Sequence, residues 1–95
     1  MNKKLVEQLS NFFSFQPIIK AYIFGSYARG TMNKNSDLDI LVDLEKGVGL
    51  FQFVKMKLQL EELLNKNIDL VSSNGLSPYI GPEIMKEKIL IYEKI

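Results

Sequence analysis

Neither cysteine nor histidine occurs in this 95-residue chain. The first absence removes disulfides, thiolate metal sites and cysteine nucleophiles together. The second excludes Ser-His-Asp and Cys-His catalysis, His-rich zinc sites and any imidazole general base. Carboxylates, lysines and hydroxyls must therefore supply whatever chemistry the protein performs. An excess of one charge is also missing. Twelve basic against eleven acidic residues leave a formal charge of +1, so no global field gathers a polyanion or an anionic membrane, and any phosphate must be bound by local groups. Nor is there a long apolar run at the start, because Lys3, Lys4, Glu7 and Gln8 interrupt Met1 to Leu9, unlike a signal peptide or a membrane span. The expectation is a soluble, cytoplasmic protein with no membrane partner and no direct nucleic-acid binding.

What is present suits one compact domain over residues 1–95, with 46% hydrophobic residues and room for a single modest core. Leu5, Val6, Leu9, Phe12 and Phe13 recur at three- and four-residue steps, an amphipathic helix that Pro17 stops. Ile18 to Phe24 reads as a largely buried strand. A short helix over Ser26 to Ala28 follows, with Ser26 as its expected N-cap and Gly30 near its end. Asp37 to Val42 is the second strand. Leu50, Phe53, Val54, Leu60, Leu63 and Leu64 share a broad face of the next helix, which Asn65-Lys66-Asn67 closes. Ile68 to Val71 is the third strand, bounded by the turn cluster Ser72-Ser73-Asn74-Gly75. After Pro78, Gly81 and Pro82 come a helical stretch through Met85 and a final extended segment, Ile89 to Tyr92. This order predicts an α/β (α+β) fold: a small mixed, twisted sheet with flanking helices.

The chemistry-bearing residues are Gly25-Ser26, then Asp37-Leu38-Asp39, then Asp69. Residues two apart on a strand share a face roughly 6.5 to 7 Å apart, so Asp37 and Asp39 can both reach one cation. Asp43 has the same parity but lies roughly 13 Å beyond Asp39, too far to join them. Three carboxylates on neighbouring strands repel one another and raise each other's pKa unless a positive ion sits among them. Mg²⁺ suits such an oxygen set shared with substrate phosphates, and a pair of ions would activate a hydroxyl and hold a triphosphate. Gly25 lets the backbone approach a phosphate, while Ser26 offers a hydroxyl and the amides of a helix start. Arg29 can add a charged fork. This is not a Walker loop, because Thr31-Met32 stands where Lys-Ser/Thr would follow the second glycine.

Gly25-Ser26-Tyr27-Ala28-Arg29-Gly30, Ser36-Asp37-Leu38-Asp39-Ile40-Leu41-Val42 and Ile68-Asp69-Leu70-Val71 together resemble the minimal nucleotidyltransferases of the polymerase β superfamily, often encoded beside a HEPN protein. The resemblance runs from the first strand to the third. It implies the polymerase β-like fold and transfer of a nucleoside monophosphate, usually AMP from ATP, to a hydroxyl with release of pyrophosphate. It also implies Asp37, Asp39 and Asp69 as catalytic metal ligands for two Mg²⁺ ions, with Mn²⁺ as a substitute, and Gly25 and Ser26 on the β- and γ-phosphates. Arg29 is then a structural or phosphate-proximal residue. The implied partners are ATP or another NTP and a HEPN-type toxin, for which such a protein is the antitoxin.

Against this stand blander readings. Asp37 alone suits a strand-entry cap, Asp39 a solvated sheet face, Asp69 a strand edge and Gly25-Ser26 a plain strand-to-helix turn. Lys34 reads as a solvated loop lysine and Tyr27 as a core or lid aromatic. Phe51, Phe53 and Met56 are expected to pack, and Lys55 and Lys57 to face water. Two functional alternatives also remain: an antitoxin that acts by occupancy alone, and transfer to a small-molecule hydroxyl.

Overall fold

A computed structural model describes residues 2–73 and 81–95. Asn74 and Gly75 of the expected turn, and Pro78, lie outside the described residues. Ser72 belongs to a strand. The elements run α1 (Lys3–Phe13), β1 (Ile18–Phe24), α2 (Gly25–Arg29), β2 (Leu38–Leu44), α3 (Leu50–Leu64), β3 (Ile68–Ser72), α4 (Pro82–Glu87) and β4 (Ile89–Glu93). One mixed sheet has the order β3-β2-β1-β4. β1 is antiparallel to both β2 and β4, whereas β2 and β3 are parallel, as two strands joined through a crossover helix must be. The final segment is therefore a strand, as expected.

Strand alternation sorts the side chains into two layers. On one face Ala21, Ile23, Leu38, Ile40, Val42, Ile68 and Leu70 meet Leu9 and Phe13 of α1 and Phe53, Met56 and Leu60 of α3. On the other face Phe24, Leu41 and Val71 form a smaller cluster, against which Tyr22 and Ile84 pack. The site carboxylates share that second, thinly covered face.

The caps explain where the helices begin and end. Asn2 caps α1 by accepting the Lys4 and Leu5 N–H groups at 2.8 and 3.3 Å. Asn65 ends α3 in the left-handed conformation, φ 49°, which asparagine tolerates better than most residues. Two expectations need correction. The N-cap of α2 is Phe24 and not Ser26, which already lies inside a helix starting at Gly25; Phe24 is held there by its burial with Leu41 and Val71. The core face of α3 is Phe53, Met56 and Leu60, while Leu50, Val54 and Leu63 are exposed and Phe51 is 86% exposed. That helix is apolar over more of its circumference than the sheet can cover.

Candidate active site

The parallel register pairs Asp39 of β2 with Asp69 of β3, and the antiparallel register pairs Asp39 with Phe24, the residue before Gly25. Adjacent strands lie about 4.8 Å apart, so the topology alone brings the Gly25 turn, Asp39 and Asp69 side by side at one end of the sheet. Asp37 sits just before β2 and is exposed, as is Asp69, while Asp39 is half-buried between them.

Burial, then the charges of Asp69 and Asp37, push the Asp39 carboxyl up to about 6. A hydrogen bond with Asp69 acts in the same direction, as it does when the protonated group is the donor. Arg29 opposes the shift weakly. Carboxylates that crowd and repel one another gain from a positive ion among them, so the donor chemistry of Asp39 and Asp69 fits a hard divalent ion. Among the described residues no three acidic, histidine or cysteine side chains are gathered into a ready cation site.

Gly25 adopts φ +73°, and a Cβ on it would overlap the Asp39 carboxylate, meeting even its Cγ at 2.9 Å. The glycine thus serves both the left-handed turn and the close approach to Asp39. The Ser26 carbonyl accepts the N–H groups of Gly30 and Thr31, and its hydroxyl has no hydrogen-bond partner among the described residues. Gly30, at φ 75°, terminates α2.

Arg29 is engaged by a residue that sequence reasoning missed. Its Nη1 donates to Glu87 Oε2 at 2.9 Å and to Oε1 at 3.2 Å, and the Gly25 N–H donates to the same Oε1 at 2.9 Å. Hydrogen bonds first from Arg29 and then from Gly25 hold the Glu87 carboxyl below its usual range. No local motif signals Glu87, because its partners lie 58 and 62 residues away.

Asp43 belongs to a separate cluster. The Ser73 hydroxyl donates to its carboxylate, and beside it Tyr22 is pushed up, mostly by burial and then by the Asp43 charge. Next to Asp37, an open cleft of about 420 Å³ is lined by Lys34, Ser36, Asp37, Glu61, Lys66 and Asn67. Lys34 lines this cleft beside Asp37 and is exposed, as expected of a solvated loop lysine. Lys66 lies 5.4 Å from the Tyr27 ring centroid, and Tyr27 packs on the main core.

The family model described as polymerase beta, nucleotidyltransferase matches residues 7–95. The chain belongs to that nucleotidyltransferase family. Among relatives, the protein adenylyltransferase MntA of Thermococcus cleftensis is 38% identical over 69 residues, 73% of this chain and 70% of the relative. A toxin-antitoxin crystal structure with AMP-PNP superposes with a TM-score of 0.80 at 21% identity, covering 94% of this chain and 73% of the other. A Shewanella oneidensis structure, tri-AMPylated HEPN toxin with MNT antitoxin, gives a TM-score of 0.75 at 17% identity, covering 99% and 74%. At those identities the two structures establish the nucleotidyltransferase fold. No helix among the described residues is long and apolar enough to cross a membrane.

Proposed function

We propose that this protein is a Mg²⁺-dependent nucleotidyltransferase that moves AMP from ATP to a hydroxyl of a HEPN-type partner protein, acting as that toxin's antitoxin. The observation that carries the reading is the in-register Asp39–Asp69 pair with Gly25 pressed against Asp39. The name of the Thermococcus cleftensis relative, protein adenylyltransferase, supports the reaction class. The AMP-PNP of one structural neighbour and the tri-AMPylated HEPN toxin of the other support the nucleotide and the partner.

In this reading Asp37, Asp39 and Asp69 hold the divalent ions, Mg²⁺ or Mn²⁺. Bound there, such ions lower the pKa of an acceptor hydroxyl and neutralise triphosphate charge. The Gly25–Ser26 turn receives the β- and γ-phosphates, Gly25 by allowing their close approach and Ser26 by its hydroxyl. The acceptor oxygen bonds to the α-phosphorus, the α–β anhydride breaks, pyrophosphate leaves, and the hydroxyl proton passes to solvent. The cleft beside Asp37 is polar and open to solvent, which leaves one side free for a macromolecular acceptor to complete its wall.

The test is incubation of the protein with its partner, labelled ATP and Mg²⁺. Label should appear on a hydroxyl of the partner, and Asp37→Asn with Asp39→Asn should abolish it while the complex persists. Full neutralisation of the partner by that double variant in cells would favour occupancy. Labelling of a small hydroxyl compound with no partner captured would favour a small-molecule acceptor.

A further inference from the structure

The Glu87 carboxylate takes up the two donors nearest the Gly25 turn that could otherwise face a phosphate, the Gly25 N–H and the Arg29 guanidinium. It is itself held from behind. Glu87 ends α4, whose Ile84 packs on the Phe24, Leu41 and Val71 cluster. The next residue, Lys88, returns its N–H to the Ile84 carbonyl at 3.0 Å and sets its ammonium 4.3 Å from the Tyr22 ring centroid. From there the chain enters β4, which pairs with β1 beside the turn, Ile23 with Ile89. One carboxylate therefore joins the last strand of the sheet to the glycine that presses on Asp39.

Two roles are chemically open to such a group. It could stand in for a phosphate and have to leave when nucleotide arrives, freeing Arg29 and the Gly25 amide. Or it could stay, as the anchor of the turn. The geometry favours the second. The carboxylate accepts charge-assisted hydrogen bonds from one guanidinium nitrogen on both its oxygens, and shares one of them with a backbone amide, while the chain on either side of it is anchored through Ile84 and Lys88. Resting on the nucleotidyltransferase reading above, we propose that Glu87 is a positioning residue that stays in place when nucleotide binds. It holds the Gly25–Ser26 turn against Asp39, and Arg29 acts through Glu87 without touching phosphate. The phosphates are then left to Ser26 and the backbone beyond Gly25.

The two roles predict opposite signs. Binding of ATP and AMP with Mg²⁺ is measured by calorimetry for wild type, Glu87→Ala, Glu87→Gln, Arg29→Ala and the Glu87→Ala/Arg29→Ala double variant, each checked for folding by circular dichroism. The expected result is that both alanine variants weaken ATP binding about tenfold or more and the double variant is no worse than either, the non-additivity of groups acting as one unit. AMP binding stays unchanged, which a general loss of structure would not allow. Glu87→Gln, whose one amide oxygen can still accept from the Gly25 N–H and from Arg29 but which loses the charge and the second Arg29 contact, loses less than Glu87→Ala, staying within about threefold of wild type. Tighter ATP binding in Glu87→Ala would overturn the proposal, because it would make the carboxylate a competitor. So would an Arg29→Ala loss that persists in full when Glu87 is already alanine, or no effect in either single variant. Failure of the wild type to bind ATP with Mg²⁺ would sink the nucleotide-site reading itself.

Discussion

Asp39 and Asp69 lie opposite each other in a parallel strand pair, and burial together with the charges of Asp69 and Asp37 pushes the Asp39 carboxyl up. The pair is a stability liability without a cation. A carboxyl raised from 3.8 to about 6 is protonated in folded and unfolded chains alike below about pH 4, so it costs nothing there. Between about 4 and 6 the folded state binds the extra proton, so stability falls as pH rises through that window and stays lowered above it. Asp39→Asn should therefore stabilise the metal-free protein at pH 7.5 by about 1 kcal/mol, after discounting for the solvent screening of a half-exposed group, and raise Tm by roughly 4–8 °C. Thermal melts in EDTA at pH 7.5 and pH 4 check this. The gain should vanish at pH 4, and added Mg²⁺ should raise the Tm of the wild type only.

The same substitution should remove transfer. If Asp39 helps to hold the ions, Asp39→Asn lowers the rate of AMP transfer by on the order of 10²–10³-fold or more, and Asp69→Asn does likewise. Asp43→Asn is the control, because Ser73 and Tyr22 take up Asp43 away from the turn. Single-turnover labelling of the partner separates the three. Equal losses for Asp43 and Asp39 would mean that general charge on this face, and not the in-register pair, drives the reaction.

Much of this site is legible in the amino-acid sequence, because strand parity is a local rule. Leu38, Ile40 and Val42 are buried in the main core as the alternation requires, and Asp39 and Leu41 face the other way. Gly30 and Asn65 end their helices for conformational reasons that a sequence displays openly. The features that a sequence hides depend on partners far along the chain. Ser26 looks like a cap, yet a buried phenylalanine takes the capping position because its packing outweighs a cap's contribution. Glu87 looks like any surface glutamate until β4 returns beside β1 and brings it to Gly25 and Arg29.

Helix α3 shows the limit of periodicity with unusual clarity. Leu and Met positions surround much of it, and only contact with the sheet separates Met56, 1% exposed, from Leu58, 58% exposed. Met56→Ala should cost about 2–5 kcal/mol. Leu58→Ala should fall within about 0.5 kcal/mol of wild type. Urea unfolding decides it: similar losses at both positions would mean that the outer face of α3 is covered in solution, for instance by a second copy.

Gly25 carries the sharpest structural demand in the chain. Its left-handed φ of +73° alone would cost an alanine about 1 kcal/mol, and the methyl group would run into the Asp39 carboxylate. Either Asp39 turns away from Asp69 or the turn lifts from β2, and each outcome separates the Gly25–Ser26 turn from the carboxylates. Gly25→Ala should therefore lose transfer activity far out of proportion to stability, on the order of 10²-fold in rate for a displacement of about 1 Å. Gly30→Ala shares the left-handed strain, at φ +75°, but its added methyl meets nothing within 4 Å. It should lose about the same stability while transfer remains near wild type. Melting curves paired with partner labelling test the contrast. If Gly30→Ala loses as much activity as Gly25→Ala, the effect comes from backbone strain in α2, and the contact with Asp39 is incidental.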